Sequence, residues 1–317
     1  DKSSAKCFIC MHRLKDGLRK LHSSKIHIIN VQRKLDYKIA RSLPRFFNDL
    51  EELKRFELFG IDFGAAVAGS IISDLRDHHF DTVIHQKTIM NVMQASLLVY
   101  QSINNALNTI KPDLLYIYNG RAALERPAVR MCKQKGVNFY TYDIDRSGYV
   151  LCWNDMPHHL SFMRNDIMKY WHKNADEAQK TKIAADSFYK ARLGTKALSD
   201  KIFVCKQKKE LLPESFDYRK RNIVIFNSSW DEVETFPEWK QGCIYDNEAS
   251  ALSRIIAEFK DDESFKFYLR VHPNLRNLDN TQIKELKKLN ALGCKNLEII
   301  WPEEKVDSYA LLDACEK

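Results

Sequence analysis

The chain is poor in the residues that break or cross-link a polypeptide. Ten glycines and eight prolines in 317 residues exclude collagen-like and linker-like chains. No apolar run approaches the roughly 18 to 20 residues that a membrane-spanning helix needs, which reads as a soluble protein. Eight cysteines are too few for a disulfide scaffold at this length. Cys132, Cys152, Cys205 and Cys243 lie singly in apolar stretches, where a reduced thiol packs as a small hydrophobe. Cys7-x-x-Cys10 is the exception, and without a second such pair or a close His pair it supplies half a zinc site at most. The adjacent histidines His78-His79 and His158-His159 match a shared metal poorly. HExxH, GxGxxG, the phosphate-loop signature and the GxSxG elbow are all missing, which removes the chemistries they serve. There is no secretory signal, and the first residue is Asp, so the start reads as trimmed and the setting as a reducing cytoplasm.

What is present describes a folded protein. Hydrophobic residues make up 44 % and aromatics 11 %, enough apolar surface to offset the entropy of ordering the chain. The length is about twice a common domain of about 150 residues, so one large or two medium domains are expected. A net charge of +8 is compatible with an anionic partner and equally with a solvated basic surface. Nucleic acid is the weakest of those partners, because no Arg-Gly or aromatic-basic repeat occurs.

Short β-branched and aromatic runs alternate with helical stretches. Ile26–Val31 is a strand candidate after the amphipathic Met11–His22, and Thr88–Ile110 is a long helix leading to a strand at Leu114–Tyr118. A helix over Arg121–Lys135, stopped by Gly136, then precedes a strand at Val137–Tyr142. The span Asp155–Leu193 is helical and charged, and Lys201–Cys205 is a further strand candidate. A second series follows: strands at Asn222–Phe226, Phe265–Val271 and Leu297–Trp301, and helices at Asn247–Phe259, Gln282–Leu292 and Val306–Cys315. The pattern predicts an α/β protein of two Rossmann-like, doubly wound lobes facing a cleft. Residues 1–205 form the N-terminal lobe, with a helical insertion at about 155–195; 206–221 is a basic linker; 222–317 is the C-terminal lobe, which reads as incomplete with only three strands.

In such sheets ligands bind at the carboxyl ends of the strands. Five strand ends are followed by polar clusters: Asn119-Gly120-Arg121, Asp143-Ile144-Asp145-Arg146, Asn227 through Glu232, His272-Pro273-Asn274 and Pro302-Glu303-Glu304. Each also fits an ordinary turn or helix cap; their joint placement is what points to a site. Arg270 and His272 put two cations near one strand terminus, which suits a phosphate leaving group.

Three stretches of the second series carry a resemblance: Phe226-Asn227-Ser228-Ser229-x-Asp231-Glu232, Leu269 through Asn274, and Trp301-Pro302-Glu303-Glu304-x-x-Asp307-Ser308-Tyr309-x-Leu311-Leu312. With Tyr118 through Arg121, Glu125-Arg126-Pro127 and the Cys7-x-x-Cys10 pair, they resemble the capsule and surface-polysaccharide glycosyltransferases of GT-B architecture. Those relatives continue past the Asp-Ser-Tyr helix into further strands. The resemblance implies a metal-independent transfer, without cofactor, of a sugar from a nucleotide-sugar donor to a glycan or lipid-linked acceptor. It places the enzyme in the cytoplasm, with the inner face of the membrane and peripheral association there as an option, and involves no nucleic acid. The donor side falls to Ser228, Ser229, Glu232, Arg270, His272, Pro273, Ser308 and Tyr309, with His272 also catalytic. The base falls to Asp143 or Asp145, then Glu125, and Asn119 and Arg121 line the acceptor side. Alternatives are a CDP-alcohol phosphotransferase of teichoic-acid-polymerase type, disfavoured because His272 is the only His after His172, and a non-catalytic nucleotide- or glycan-binding module.

Overall fold

A computed structural model describes residues 2–20, 29, 31–32, 34–145, 148–157, 159–173, 176–192, 206–240, 244–245 and 247–315. Among the described residues the protein is a mixed α/β structure with two three-stranded sheets. The expected strand at 201–205, and residues 26–28 and 30 of the one at 26–31, lie outside the described residues.

The first sheet has the order β1 (Leu114–Tyr118), β2 (Asn138–Asp145), β3 (Gly148–Trp153). β1 and β2 are parallel, joined by the expected helix, which spans Arg126–Lys135 and ends at Gly136 in the left-handed conformation. β3 pairs antiparallel to β2 and was not expected. This pairing corrects one reading: β2 runs past Tyr142, its last residue paired with β1, so Asp143 and Asp145 lie in the strand, opposite Val150 and Gly148. One face of the sheet packs Ile117, Phe139 and Cys152 inward; the other carries exposed Tyr116, Leu151 and Trp153.

Helices ahead of this sheet build the largest core. In chain order they are α1 (Lys2–Lys20), α2 (Tyr37–Arg41), α3 (Leu50–Lys54), α4 (Phe63–Leu75) and α5 (Gln86–Ile110), with α6 the Arg126–Lys135 helix. α4 is apolar nearly all round and is correspondingly buried among Leu53, Ile89, Met93 and Leu97. α7 (Leu160–Lys173) and α8 (Glu177–Arg192) fill the expected helical span.

The second sheet is all parallel, in the order β4 (Arg221–Phe226), β5 (Phe265–Arg270), β6 (Leu297–Ile300). As the central strand, β5 is buried on both faces from Phe267 to Arg270. α10 (Glu248–Glu258) and α11 (Thr281–Ala291) contribute Leu252, Ile283, Leu286 and Leu289 to one core beside Leu269 and Ile299. α12 (Ser308–Ala314) contributes Leu311 to a second core, with Tyr268, Ile300, Leu212 and Phe216. Side chains start the helices where expected: Asn247 accepts from the Ser250 amide, Asn280 from Ile283 and Asp307 from Tyr309. Neither sheet reverses its strand order, so the switch point of a doubly wound sheet is not formed by the described strands.

The basic stretch from Lys206 belongs with the second sheet. The Lys208 amide donates to the Lys305 carbonyl, the Glu210 amide to Asp307, and the Asp307 amide to the Leu211 carbonyl. A short helix, α9 (Trp230–Glu234), follows β4 and contacts α4.

Candidate functional site

Two pockets lie at the strand ends. The first opens where β1 stops. Asn119 and Gly120 both take positive φ, which turns the chain sharply, and the Asn119 amide donates to the Tyr142 carbonyl at 2.7 Å. Beyond the turn, Arg121, Ala122 and Glu125 join Tyr118, Asn119, Thr235 and α4 residues around a cavity of about 220 Å³. The expected acceptor-side residues Asn119 and Arg121 are therefore brought together with Glu125.

The carboxylates of this region differ in environment. Asp143 accepts from Asn119 Nδ2 and from the Ile144 amide, both at 2.8 Å. Burial, and after it the charge of Asp143, raises the Tyr118 phenol above its usual range. Glu125 has Oε2 buried with no hydrogen-bond partner. Burial pushes its carboxyl up against the opposing pull of backbone amides and the Arg121 charge. A proton acceptor needs that kind of elevation; a carboxylate held by two donors is better suited to positioning. Asp145, the last residue of β2, is set three positions beyond Tyr142. Glu125 also borders a more apolar groove of about 410 Å³ with Asn91, Val92 and Ala95.

The second strand-end region surrounds β5. Arg270 is 2 % exposed; its Nη1 donates to the Trp301 carbonyl at 2.7 Å and its Nη2 to the Glu304 carbonyl at 3.2 Å. A cavity of about 320 Å³ opens beside it, lined by Lys206, Gln207, Pro273, Asn274, Arg276 and Pro302 among others. Gln207 holds Ser308 through both ends of its side-chain amide, and Tyr309 donates its backbone N–H to Asp307. Pro273 lines the cavity directly, whereas His272, Ser308 and Tyr309 are not part of its lining. His272 accepts the Asn274 N–H on Nδ1 at 3.2 Å, capping the short 3-10 turn Pro273–Leu275, and its own amide donates to Asn227 Oδ1 at 2.7 Å.

Ser228 and Ser229, expected on the donor side, are engaged by the protein. Glu248 accepts from the Ser228 amide at 2.8 Å, from Asn227 Nδ2 at 3.3 Å and from Gln282 Nε2 at 2.9 Å. Burial raises the Glu248 carboxyl, and these three donors oppose that rise. Gln282 Oε1 also takes the Trp230 amide at 2.9 Å. Ser229 donates to Asp231 at 2.5 Å and accepts from Arg76 Nη2 at 3.2 Å, while Arg76 Nε bonds Asp231. The side-chain amide of Asn274 donates to Glu232 at 3.0 Å.

α9 ties the two pockets together. Thr235, which lines the first, donates to the Glu232 carbonyl at 2.7 Å, and the Glu232 carboxylate holds Asn274 of the second. The segment around α9 is anchored to the first sheet's helices by Lys54–Glu234 at 2.8 Å, by Arg76–Asp231, and by Arg126 and Arg130, which grip both Asp62 and Glu238. Arg121 lies 5.2 Å over the Phe236 ring. Sequence reasoning missed Ser70, Ser73 and Thr235, which follow no strand, as well as Lys206 and Arg276. Only Lys206 carried a signal, as part of the basic stretch.

Cys7 and Cys10 both lie on α1, and among the described residues no three His, Cys, Asp or Glu side chains gather as a metal site requires. No helix among those residues is long and apolar enough to cross a membrane. A scan of protein-family models finds none that matches this chain, and a search of curated proteins finds no match either.

Proposed function

We propose that the chain transfers a sugar from a nucleotide-activated donor to a glycan or lipid-linked acceptor, as a GT-B-like enzyme whose N-terminal part takes the acceptor and whose C-terminal part takes the donor. One observation carries the reading. A pocket holding a buried, elevated carboxyl and a pocket lined by cations are joined through one short helix, at the ends of β1 and β5.

In this reading Glu125 accepts the proton of the acceptor hydroxyl as its oxygen bonds to the sugar's anomeric carbon. The bond from that carbon to the donor phosphate breaks, and its electron pair leaves with the nucleotide. Arg270, which lines the second cavity, faces the charge that develops there, and His272, next to that cavity at the end of β5, is assigned the same role. Asp143 and Asn119 orient the acceptor side, and Arg121 completes its wall. A second reading, a non-catalytic binding module, is favoured by the capture of the Ser228 amide by Glu248, which leaves that amide to the protein's own carboxylate.

The melting temperature in the presence of UDP, CDP, GDP and CMP tests the donor side. A nucleotide at about 100 times its dissociation constant stabilises by about 2.7 kcal/mol. One of the four should raise the melting point clearly above the others; a flat response to all of them refutes the assignment.

A further inference from the structure

The geometry points to an anion site in the cavity between Lys206, Arg270 and Arg276, one that takes a phosphate or diphosphate group and is separate from the Ser228–Ser229 turn. It deepens the donor side of the proposed transfer, with which it shares Arg270, and rests on that reading; binding of a bare phosphate group tests it apart from turnover.

Three observations carry it. First, the two guanidinium groups hydrogen-bond to backbone carbonyls and to no carboxylate. Arg270 donates to the Trp301 and Glu304 carbonyls, and Arg276 Nη2 donates to the Pro302 carbonyl. All three acceptors are uncharged backbone oxygens of the turn after β6. Second, Arg270 Nε is buried with no hydrogen-bond partner, although the residue as a whole is only 2 % exposed. A buried guanidinium without a paired carboxylate is costly, and an anion would offset that cost. Third, the nearby carboxylates hydrogen-bond to backbone amides and to neither guanidinium. Glu303 accepts from the Asn277 amide at 3.2 Å, and Glu304 accepts from the Trp301 amide at 2.6 Å. Burial depresses the Arg270 pKa and the positive charge of Arg276 adds to that, while Glu304 and Glu303 only partly oppose it.

The contrast with the Ser228–Ser229 turn sharpens the assignment. There the amide that would meet an anion already meets Glu248, and a second negative group would be repelled. In the Arg270 cavity the positive groups come from β5, from the turn after it and from the stretch before β4. Planar guanidinium forks match phosphate oxygens in pairs, and an exposed Lys adds a mobile point charge at the rim.

The test is calorimetric titration of the full chain with inorganic pyrophosphate. Binding should saturate at one site. Lys206→Gln and Arg276→Gln should each weaken it at least tenfold, the loss expected for a charge-assisted hydrogen bond. Lys209→Gln removes the same charge from an exposed neighbour outside the cavity, and Ser228→Ala probes the other turn; both should stay within twofold. Lys206 is exposed, so its replacement leaves the fold intact even if Arg276→Gln does not fold. Any other pattern overturns the site: no saturable binding, an equal loss for Lys209→Gln that marks diffuse attraction to a basic surface, a loss confined to Ser228→Ala, or a Lys206→Gln variant that binds as the parent does.

Discussion

Replacing Asp62 by asparagine should cost more than any surface change, because Asp62 is the hub of the ion network joining α4, α6 and the segment after α9. Its carboxylate accepts four hydrogen bonds, from Arg126 Nε and Nη2 at 2.9 and 2.6 Å and from Arg130 Nε and Nη2 at 3.0 and 2.9 Å. Arg126 is 2 % exposed, and Glu238 is the remaining acid, taking Arg126 Nη2 at 2.7 Å and Arg130 Nη2 at 2.8 Å. A neutral amide in place of the Asp62 carboxylate would leave two guanidinium groups against one acid in a mostly buried setting. Breaking a buried pair in this way costs about 3 to 5 kcal/mol. At about 2 °C per kcal/mol for a large domain, thermal unfolding followed by circular dichroism should fall by about 6 to 10 °C. Burial opposes ionisation of Asp62, but the hydrogen bonds and charges of Arg130 and Arg126 win and hold its pKa well below the usual 3.8. The contribution is thus fully present above the ordinary aspartate range and is lost as pH falls through the lowered folded value. The gap between parent and variant should persist at pH 5 and narrow only in strong acid. A shift under 2 °C at pH 7, or strictly additive losses in a cycle with Arg130→Gln, would refute the network's role.

Glu125→Gln should lower turnover about a hundredfold or more with little change in donor binding, whereas Asp143→Asn should cost less, since Asp143 positions through Asn119 and not by proton transfer; steady-state kinetics that rank them in reverse would move the base to β2. His272→Ala should cut turnover by roughly a hundredfold and also lower the melting point slightly, because Nδ1 caps the Asn274 amide; a lower melting point with turnover unchanged leaves only the cap. Gly120→Ala should destabilise by roughly 1 to 3 kcal/mol in a urea melt: φ is +89°, and a Cβ would meet Met156 and Val129 at 3.1 Å. Burial holds the Cys132 and Cys152 thiols at about 11 and about 12, so iodoacetamide at pH 8 should label exposed Cys10 and spare both, as read by mass spectrometry of the native protein.

Much of the fold is legible where the pattern is local. β1 and β4 to β6 are short apolar runs between turn residues, and α10 and α11 carry Asn caps that settle their starts to within a residue. α4 was not legible: Phe63–Leu75 is apolar on nearly every side, so its helical period is weak and burial decides its state. β3 was hidden by its neighbour. Asp143 and Asp145 read as a polar cluster ending a strand, and only the antiparallel partner Gly148–Trp153 makes them part of it. Within the site, Asn119, Arg121 and Glu125 were legible because they follow β1 directly. The engagement of Ser228 by Glu248 was not, because that contact spans 20 residues and depends on how α10 packs against β4. Thr235 and Arg276 enter pockets through tertiary packing, which no short motif encodes.

The most direct measurement of sugar transfer is the release of free nucleotide from UDP-, GDP-, CDP- and CMP-linked sugars, with Glu125→Gln run beside the parent on equal folded protein. One donor class should be consumed, and Glu125→Gln should slow its consumption about a hundredfold or more. Consumption at the same rate by both proteins would contradict the role of Glu125, and no consumption of any donor, together with no nucleotide-dependent rise in melting temperature, would contradict sugar transfer itself.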